Sequence, residues 1–289
     1  MPAYGIELIK LLEDKAYEIR KLTIRLMAAG QLGHPGGSMS ESDLLAALYF
    51  HELNIDPANP QWEDRDRFIL SKSHTCNALY AALALRGFYP VEECITYGRI
   101  GSRLQGHTDM KKTPGIEISG GSLGQGLSVA AGMAWSAKKL GKFNHIFCLI
   151  GDGETQEGQI WEAAMSASQY RLDNLTAIMD YNKVQAKDYT YNEIGIEPVK
   201  ARWEAFGWLT VEIDGHDLEQ ILNAFYKAKC INRIGKPTII IAHTVKGKGI
   251  PWMEFNPKWH THAPTGDKAE QAIEELAKTY GKPYVRGEI

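Results

Sequence analysis

Residues 151–182, GDGETQEGQIWEAAMSASQYRLDNLTAIMDYN, constrain this chain more than any other stretch, because they read as two strand ends bracketing one helix. The run 145–150 (HIFCLI) is short, apolar and β-prone, and it stops at Gly151-Asp152-Gly153. An amphipathic pattern then continues to about Tyr170. A second apolar run, 175–179, ends at Asp180-Tyr181-Asn182. Strand, helix and strand make a right-handed crossover, so the strands lie parallel with their carboxyl ends on one edge of a sheet. Asp152 and Asn182 are expected to face one another there. Open α/β sheets bind ligands at that edge, and two oxygen-bearing side chains suit a hard cation such as Mg²⁺. Gly151 and Gly153 remove side chains where a diphosphate has to approach the backbone, and the following helix offers its positive end to that anion. The plainer alternative is an ordinary βαβ unit with a Gly-rich turn and an Asn cap, which GDG alone does not exclude.

The same alternation runs through the rest of the chain. Strands are predicted at residues 67–71, 145–150, 175–179, 208–213 and 237–242, and helices over most of the first thirty residues and at 40–51, 75–86, 91–97, 125–139, 198–206, 218–230 and 265–280. This order predicts a doubly wound parallel sheet flanked by helices, in one domain over residues 1–289. With 44% hydrophobic and 23% charged residues, the composition is that of a soluble globular protein with a substantial core. A net charge of −3 leaves no electrostatic footprint for nucleic acid or an anionic membrane, and no apolar stretch is long enough to cross a bilayer. Cys76, Cys94, Cys148 and Cys230 are scattered without a CxxC pair, as expected of buried thiols in a reducing cytoplasm.

GDG followed by Asn182 after 28 intervening residues resembles the thiamine diphosphate fingerprint, and the surrounding words resemble the cofactor-binding half of transketolase over nearly the whole chain. Residues 33–36 match its GHPG loop around His34, and SGGSLGQG at 119–126 matches its GSLGQG turn. Residues 244–249 match TxKGxG with Lys246, and Lys72-Ser73-His74 matches SKGH except that Ser73 replaces a glycine, which leaves the local backbone conformation open. His107 stands in GHT where the family has GHP. The family histidine of the Trp- and Pro-rich loop matches His260 best, with His262 in reserve. Read alone, each histidine is a weak signal, His-x-His at 260–262 also suits a zinc pair, and Lys246 is an ordinary surface lysine.

The resemblance implies the thiamine diphosphate-binding fold of the diphosphate type, with cofactor contacts from His74, Gly121, Ser122, Leu123, Gly151, Asp152, Gly153, Glu154, Asn182, Lys246 and His260. Asp152, Asn182 and the Val184 carbonyl are the implied Mg²⁺ ligands, with Ca²⁺ or Mn²⁺ able to substitute. His34, His74, His107 and His260 are the implied catalytic group, and Lys72 joins His34, His107 and His260 in binding substrate. The implied reaction transfers a two-carbon ketol unit from a ketose phosphate to an aldose phosphate. The family's glutamate that activates the cofactor lies in a second α/β domain for which 289 residues are too few. A separate transketolase C-terminal subunit, carrying the pyrimidine-binding and C-terminal domains, is therefore expected in an α2β2 heterotetramer. Alternatives are a deoxyxylulose-phosphate synthase-like or 2-oxo acid dehydrogenase α-like subunit, or a non-catalytic cofactor-binding subunit. A plain nucleotide-binding domain fits worst, because GxGxxG is missing after the first strand.

Overall fold

The computed structural model describes residues 2–288. Five strands, β1 (Arg67–Leu70), β2 (Ile146–Gly151), β3 (Leu175–Tyr181), β4 (Leu209–Asp214) and β5 (Thr238–His243), form one sheet in the order β1-β2-β3-β5-β4. Every neighbouring pair is parallel. β2 and β3 are buried along their whole length, and a strand covered on both faces can be apolar throughout, which is why HIFCLI and LTAIM show no alternation.

The helices are α1 (Ile6–Gly30), α2 (Pro35–Ser40), α3 (Ser42–Ala47), α4 (Cys76–Arg86), α5 (Gln125–Lys139), α6 (Gly158–Gln169), α7 (Thr190–Glu193), α8 (Val199–Ala205), α9 (Leu218–Tyr226) and α10 (Asp267–Thr279). One apolar core joins α1, α3, α4 and α9 to one face of the sheet through Phe68, Phe147, Leu149, Ile178 and Ile240. On the opposite face α5, α6 and α8 pack on Ile69, Cys148, Ile150, Ala177 and Ile239. The tail helix α10 seats Ile273 and Leu276 against Ile24 and Met27 of α1.

Three helical expectations change. The helix predicted at 40–51 begins at Pro35, directly after His34, because proline fits the first helical position, and it then breaks into α2, α3 and a wide turn at Leu48–Glu52. The helix expected straight after Gly153 is interrupted: Asp152 caps a tight turn at Gly153–Gln156, Glu157 is extended, and α6 starts only at Gly158. The positive end expected beside Gly153 therefore lies farther along the chain. The helix predicted over 218–230 ends as α9 at Tyr226 and passes into a wide turn at Lys227–Ile231. Ser73 needs no left-handed backbone, since it opens a short helical turn at Ser73–Thr75, and among the described residues only Gln31, Arg171, Lys183 and Phe255 are non-glycine positions with positive φ. Cys76, Cys94 and Cys148 are buried as expected, but Cys230 is exposed at the end of the wide turn.

Candidate active site

The register brings the two strand ends together. Gly151 of β2 pairs with Asp180 of β3, so Asp152 and Asn182 leave the sheet as near neighbours. Asp152 Oδ2 accepts the Lys183 N–H at 2.5 Å, and Oδ1 accepts the Gly153 N–H at 2.7 Å. Lys183 has φ 66°, a left-handed kink that reverses the chain immediately after Asn182. The Asn182 amide oxygen accepts the Val184 N–H at 3.1 Å. The Val184 carbonyl accepts Lys246 Nζ at 2.7 Å, and Gln185 O accepts it at 3.1 Å. A carboxylate, an amide oxygen and a main-chain carbonyl thus converge on one cavity of about 380 Å³ at the carboxyl edge. These are hard donors of the kind Mg²⁺ takes, and a lysine ammonium already sits on one of them. Burial and the nearby Asp180 push Asp152 up to about 6, the response of a carboxylate short of positive charge. Among the described residues no group of three or more His, Cys, Asp or Glu is arranged to hold a metal ion, so the His260-x-His262 zinc alternative has no support.

Three imidazoles roof the same cavity. His34 from the loop before α2, His74 after β1 and His260 from the turn at Pro257–His260 have ring centroids 4.9, 5.3 and 5.4 Å apart. Burial lowers all three. His34 falls to about 4 with help from His107, His260 to about 3 with help from Lys246, and His74 well below its usual value beside Lys72. They are neutral at pH 7, each with one donor and one acceptor nitrogen. Lys246 Nζ reaches His260 Nδ1 at 2.9 Å, which makes Nδ1 the acceptor and leaves the ring proton on Nε2. His262 is exposed, its Nδ1 2.8 Å from the Lys258 carbonyl, and it does not line the cavity.

Other expected residues are placed less directly. His107 is exposed, its backbone carbonyl accepts the Tyr80 hydroxyl at 2.9 Å, and it does not line the cavity, although it is near enough to His34 to help lower it. Leu123 lines the cavity, whereas Gly121 and Ser122 are exposed and do not. Gly153 has a packing reason of its own, because a Cβ there would lie 2.9 Å from Gln185 Nε2. Glu154 lies at the cavity floor with both oxygens committed: Oε1 accepts Ser71 Oγ at 2.5 Å and Gly124 N at 2.7 Å, and Oε2 accepts Gly151 N at 2.9 Å. It ties the ends of β1 and β2 to the Gly-rich turn. Lys246 is 2% exposed rather than a surface lysine, and burial brings it down to about 8. Gly36 makes room for it, since a Cβ there would lie 2.8 Å from Lys246 Cε.

Lys72, expected to meet substrate, lines the cavity and is also held from its buried side. Its ammonium lies 2.5 Å from Glu41 Oε2 and 2.7 Å from Asp180 Oδ2, all three side chains being essentially buried. A buried ammonium needs such countercharge, and here two carboxylates share one cation. Asp180 also accepts from Ser40 Oγ at 2.6 Å, from Asn182 Nδ2 at 3.0 Å and from Thr244 Oγ1. Burial raises Asp180, but Lys72 and the hydroxyl donors outweigh it and hold the carboxyl below its usual range. Burial pushes Glu41 up to about 7, with Lys72 only partly opposing.

Neither carboxylate stands out in the sequence, although Asp180 is the one charged residue in the run 175–181. A second chain of contacts is equally silent there. Arg20 forks onto Asp43 at 3.1 and 2.5 Å, Asp43 Oδ2 lies 2.7 Å from His216 Nδ1, and His216 Nε2 accepts the Val245 N–H at 2.8 Å. His216 thereby fixes the backbone next to Lys246.

Residues 13–286 match the family described as transketolase, thiamine diphosphate binding domain. The chain is 46% identical over 267 residues to the 6-deoxy-6-sulfo-D-fructose transketolase subunit SqwG of a Clostridium species, covering 92% of this chain and 96% of that one. It is 40% identical to one of the subunits of the apulose-4-phosphate transketolase of Phocaeicola vulgatus, covering 95% of this chain and 96% of that one. Human transketolase is 38% identical over 93% of this chain, which spans only 42% of the human protein. Among solved structures, transketolase from Campylobacter jejuni superposes with a TM-score of 0.87 at 33% identity, covering 96% of this chain and 43% of that one.

Proposed function

This chain belongs to the transketolase family, as its N-terminal thiamine diphosphate-binding half, and from that membership we propose that it is one subunit of a split transketolase. Together with a separate chain carrying the pyrimidine-binding and C-terminal domains, in an α2β2 assembly, it moves a two-carbon ketol unit from a ketose phosphate to an aldose phosphate. The observation that carries this reading is one cavity with three neutral imidazoles above and three hard oxygens below.

Asp152, Asn182 and the Val184 carbonyl would hold Mg²⁺, and Leu123, Gly151 and Gly153, which line the same cavity, would face the diphosphate. When bound, thiamine diphosphate supplies an acidic ring carbon and an electron sink for carbonyl chemistry. The protein's own residues do the rest. His34, His74 and His260 exchange hydrogen bonds with sugar hydroxyls, because a neutral imidazole donates to one oxygen while accepting from another. His107 meets the sugar from its exposed position. Lys246 keeps His260 in one tautomer and adds positive charge beside the anion site. Lys72 acts from beneath, tying Asp180 and through it the Asn182 amide. The relatives named for a sulfonated ketose and for apulose 4-phosphate support a donor outside the common pentose phosphates.

The test is reconstitution. The chain is mixed with a co-expressed pyrimidine-domain partner, Mg²⁺ and thiamine diphosphate, and ketol transfer between a ketose phosphate and an aldose phosphate is followed. Transfer by the mixture and not by either chain alone is expected. Full activity of this chain alone, or turnover of pyruvate in place of the ketose, contradicts the proposal.

A further inference from the structure

Two positions at which the sequence words depart from the family pattern, Ser73 and Thr108, touch each other. They are 35 residues apart in the chain. Ser73 Oγ accepts the Thr108 N–H at 3.0 Å and lies 2.9 Å from Thr108 Oγ1. Thr108 Oγ1 in turn accepts the Gly120 N–H at 3.0 Å, and the Thr108 carbonyl accepts it at 3.1 Å. Both side chains are sealed from solvent, with Ser73 0% and Thr108 4% exposed. Gly120 closes the contact from the third side, since a Cβ there would lie 2.7 Å from Ser73 Cβ and 3.0 Å from Thr108 Oγ1.

Three segments, two of which go on to line the cavity, therefore meet at one buried point. One continues directly into His74, one arrives directly from His107, and one leads into the turn that presents Leu123. The chemistry makes the first two interdependent. A glycine at 73 removes the acceptor of the buried Thr108 N–H, whereas a proline at 108 has no N–H to give. Serine at 73 and threonine at 108 suit each other, and so do glycine and proline. Mixed pairs leave a polar group stranded or a hydroxyl without its donor.

We propose that Ser73 and Thr108 are a positioning pair that sets how far His107 stands from His74, and so governs the fit of the sugar between them. This rests on the proposed ketol transfer. The pair touches neither the cation oxygens nor Lys246, so its influence falls mainly on sugar affinity and reaches cofactor binding only weakly, through the turn that presents Leu123.

The experiment is a double-mutant cycle in the reconstituted complex with Ser73→Gly, Thr108→Pro and both, reading KM and kcat for the ketose phosphate and Kd for thiamine diphosphate. Each single change is expected to raise KM about tenfold, the double to return within about threefold of the parent, and cofactor Kd to stay within about twofold throughout. Singles whose effects on KM multiply in the double overturn the proposal, as does a KM unmoved by Ser73→Gly. Hydrogen exchange of the Thr108 amide needs no substrate. It should be slow in the parent and at least about tenfold faster in Ser73→Ala, and equal protection in both overturns the proposal even if Thr108→Pro fails to fold. Because exchange is read without turnover, a chain that transfers no ketol unit yet shows slow exchange refutes the proposed function and leaves the clamp standing.

Discussion

Glu41 and Asp180 compete for the single ammonium of Lys72, and removing either is expected to cost far less than removing both. Lys72 Nζ lies 2.5 Å from one and 2.7 Å from the other, with side-chain exposures of 4%, 0% and 0%. Asp180 holds the stronger position, with Ser40, Thr244 and Asn182 also donating to it. Glu41 has one oxygen with no partner and titrates at about 7. In Asp180→Asn the competing charge disappears, Glu41 ionises fully and Lys72 stays paired, so the loss should be about 1–2 kcal/mol. In Glu41→Gln, Asp180 keeps the ammonium and the change at pH 7 should stay within about 1 kcal/mol. The double substitution leaves a buried ammonium with no countercharge, which costs about 3–5 kcal/mol when such a pair is broken. The pH dependence follows from the same geometry. A carboxyl raised from its usual 4.5 to about 7 contributes stability that is whole below pH 4.5 and is lost as pH rises through 7. At 1.36 kcal/mol per unit, the parent should lose about 2.5 kcal/mol relative to Glu41→Gln between pH 5 and pH 8. Urea unfolding of the four proteins measures both. Additive losses across the cycle, or a parent and Glu41→Gln with parallel pH profiles, would refute the shared-cation reasoning.

Acid should act on His145, which is 0% exposed, 2.8 Å from Thr176 Oγ1 and lowered by burial to about 3. The unfolded chain takes up that proton near 6.5 and the folded one does not, so His145 alone should remove about 2 kcal/mol between pH 7.5 and 5, and His145→Gln should unfold with a correspondingly flatter profile. His216→Phe strands the Val245 N–H and should cost about 1–2 kcal/mol in urea unfolding, with His216→Gln recovering most of it; equal losses in both would argue against the acceptor role. His260→Ala should cut kcat of the reconstituted complex at least about tenfold with little change in cofactor Kd, and the same loss in His262→Ala instead would shift the functional histidine by two residues.

The sheet is legible in the sequence because its central strands are covered on both faces, so HIFCLI and PTIIIA carry their burial as plain apolar runs. Asp152 and Asn182 are legible for the same reason, each standing one residue past the end of such a strand. The breaks in the helices at Ser40 and Glu157 are not, because they come from caps and turns whose partners are fixed only in three dimensions. The roles of Lys72 and Glu154 are hidden on similar grounds. A charged residue in a functional word looks solvent-facing, yet Lys72 meets Glu41 and Asp180, and Glu154 meets Ser71 and Gly124, across long loops. The Arg20–Asp43–His216 chain joins residues up to 173 positions apart, and nothing local to any one of them announces the others.

The central claim is that Asp152 and Asn182 share one cation that holds a diphosphate. Titration calorimetry of thiamine diphosphate into the reconstituted complex, with Mg²⁺ and again with a chelator, tests it most directly. The parent should bind at least about a hundredfold more tightly with Mg²⁺ than without, and Asp152→Ala should lose that difference. Equal affinity with and without the metal, or an Asp152→Ala protein that binds like the parent, would contradict it.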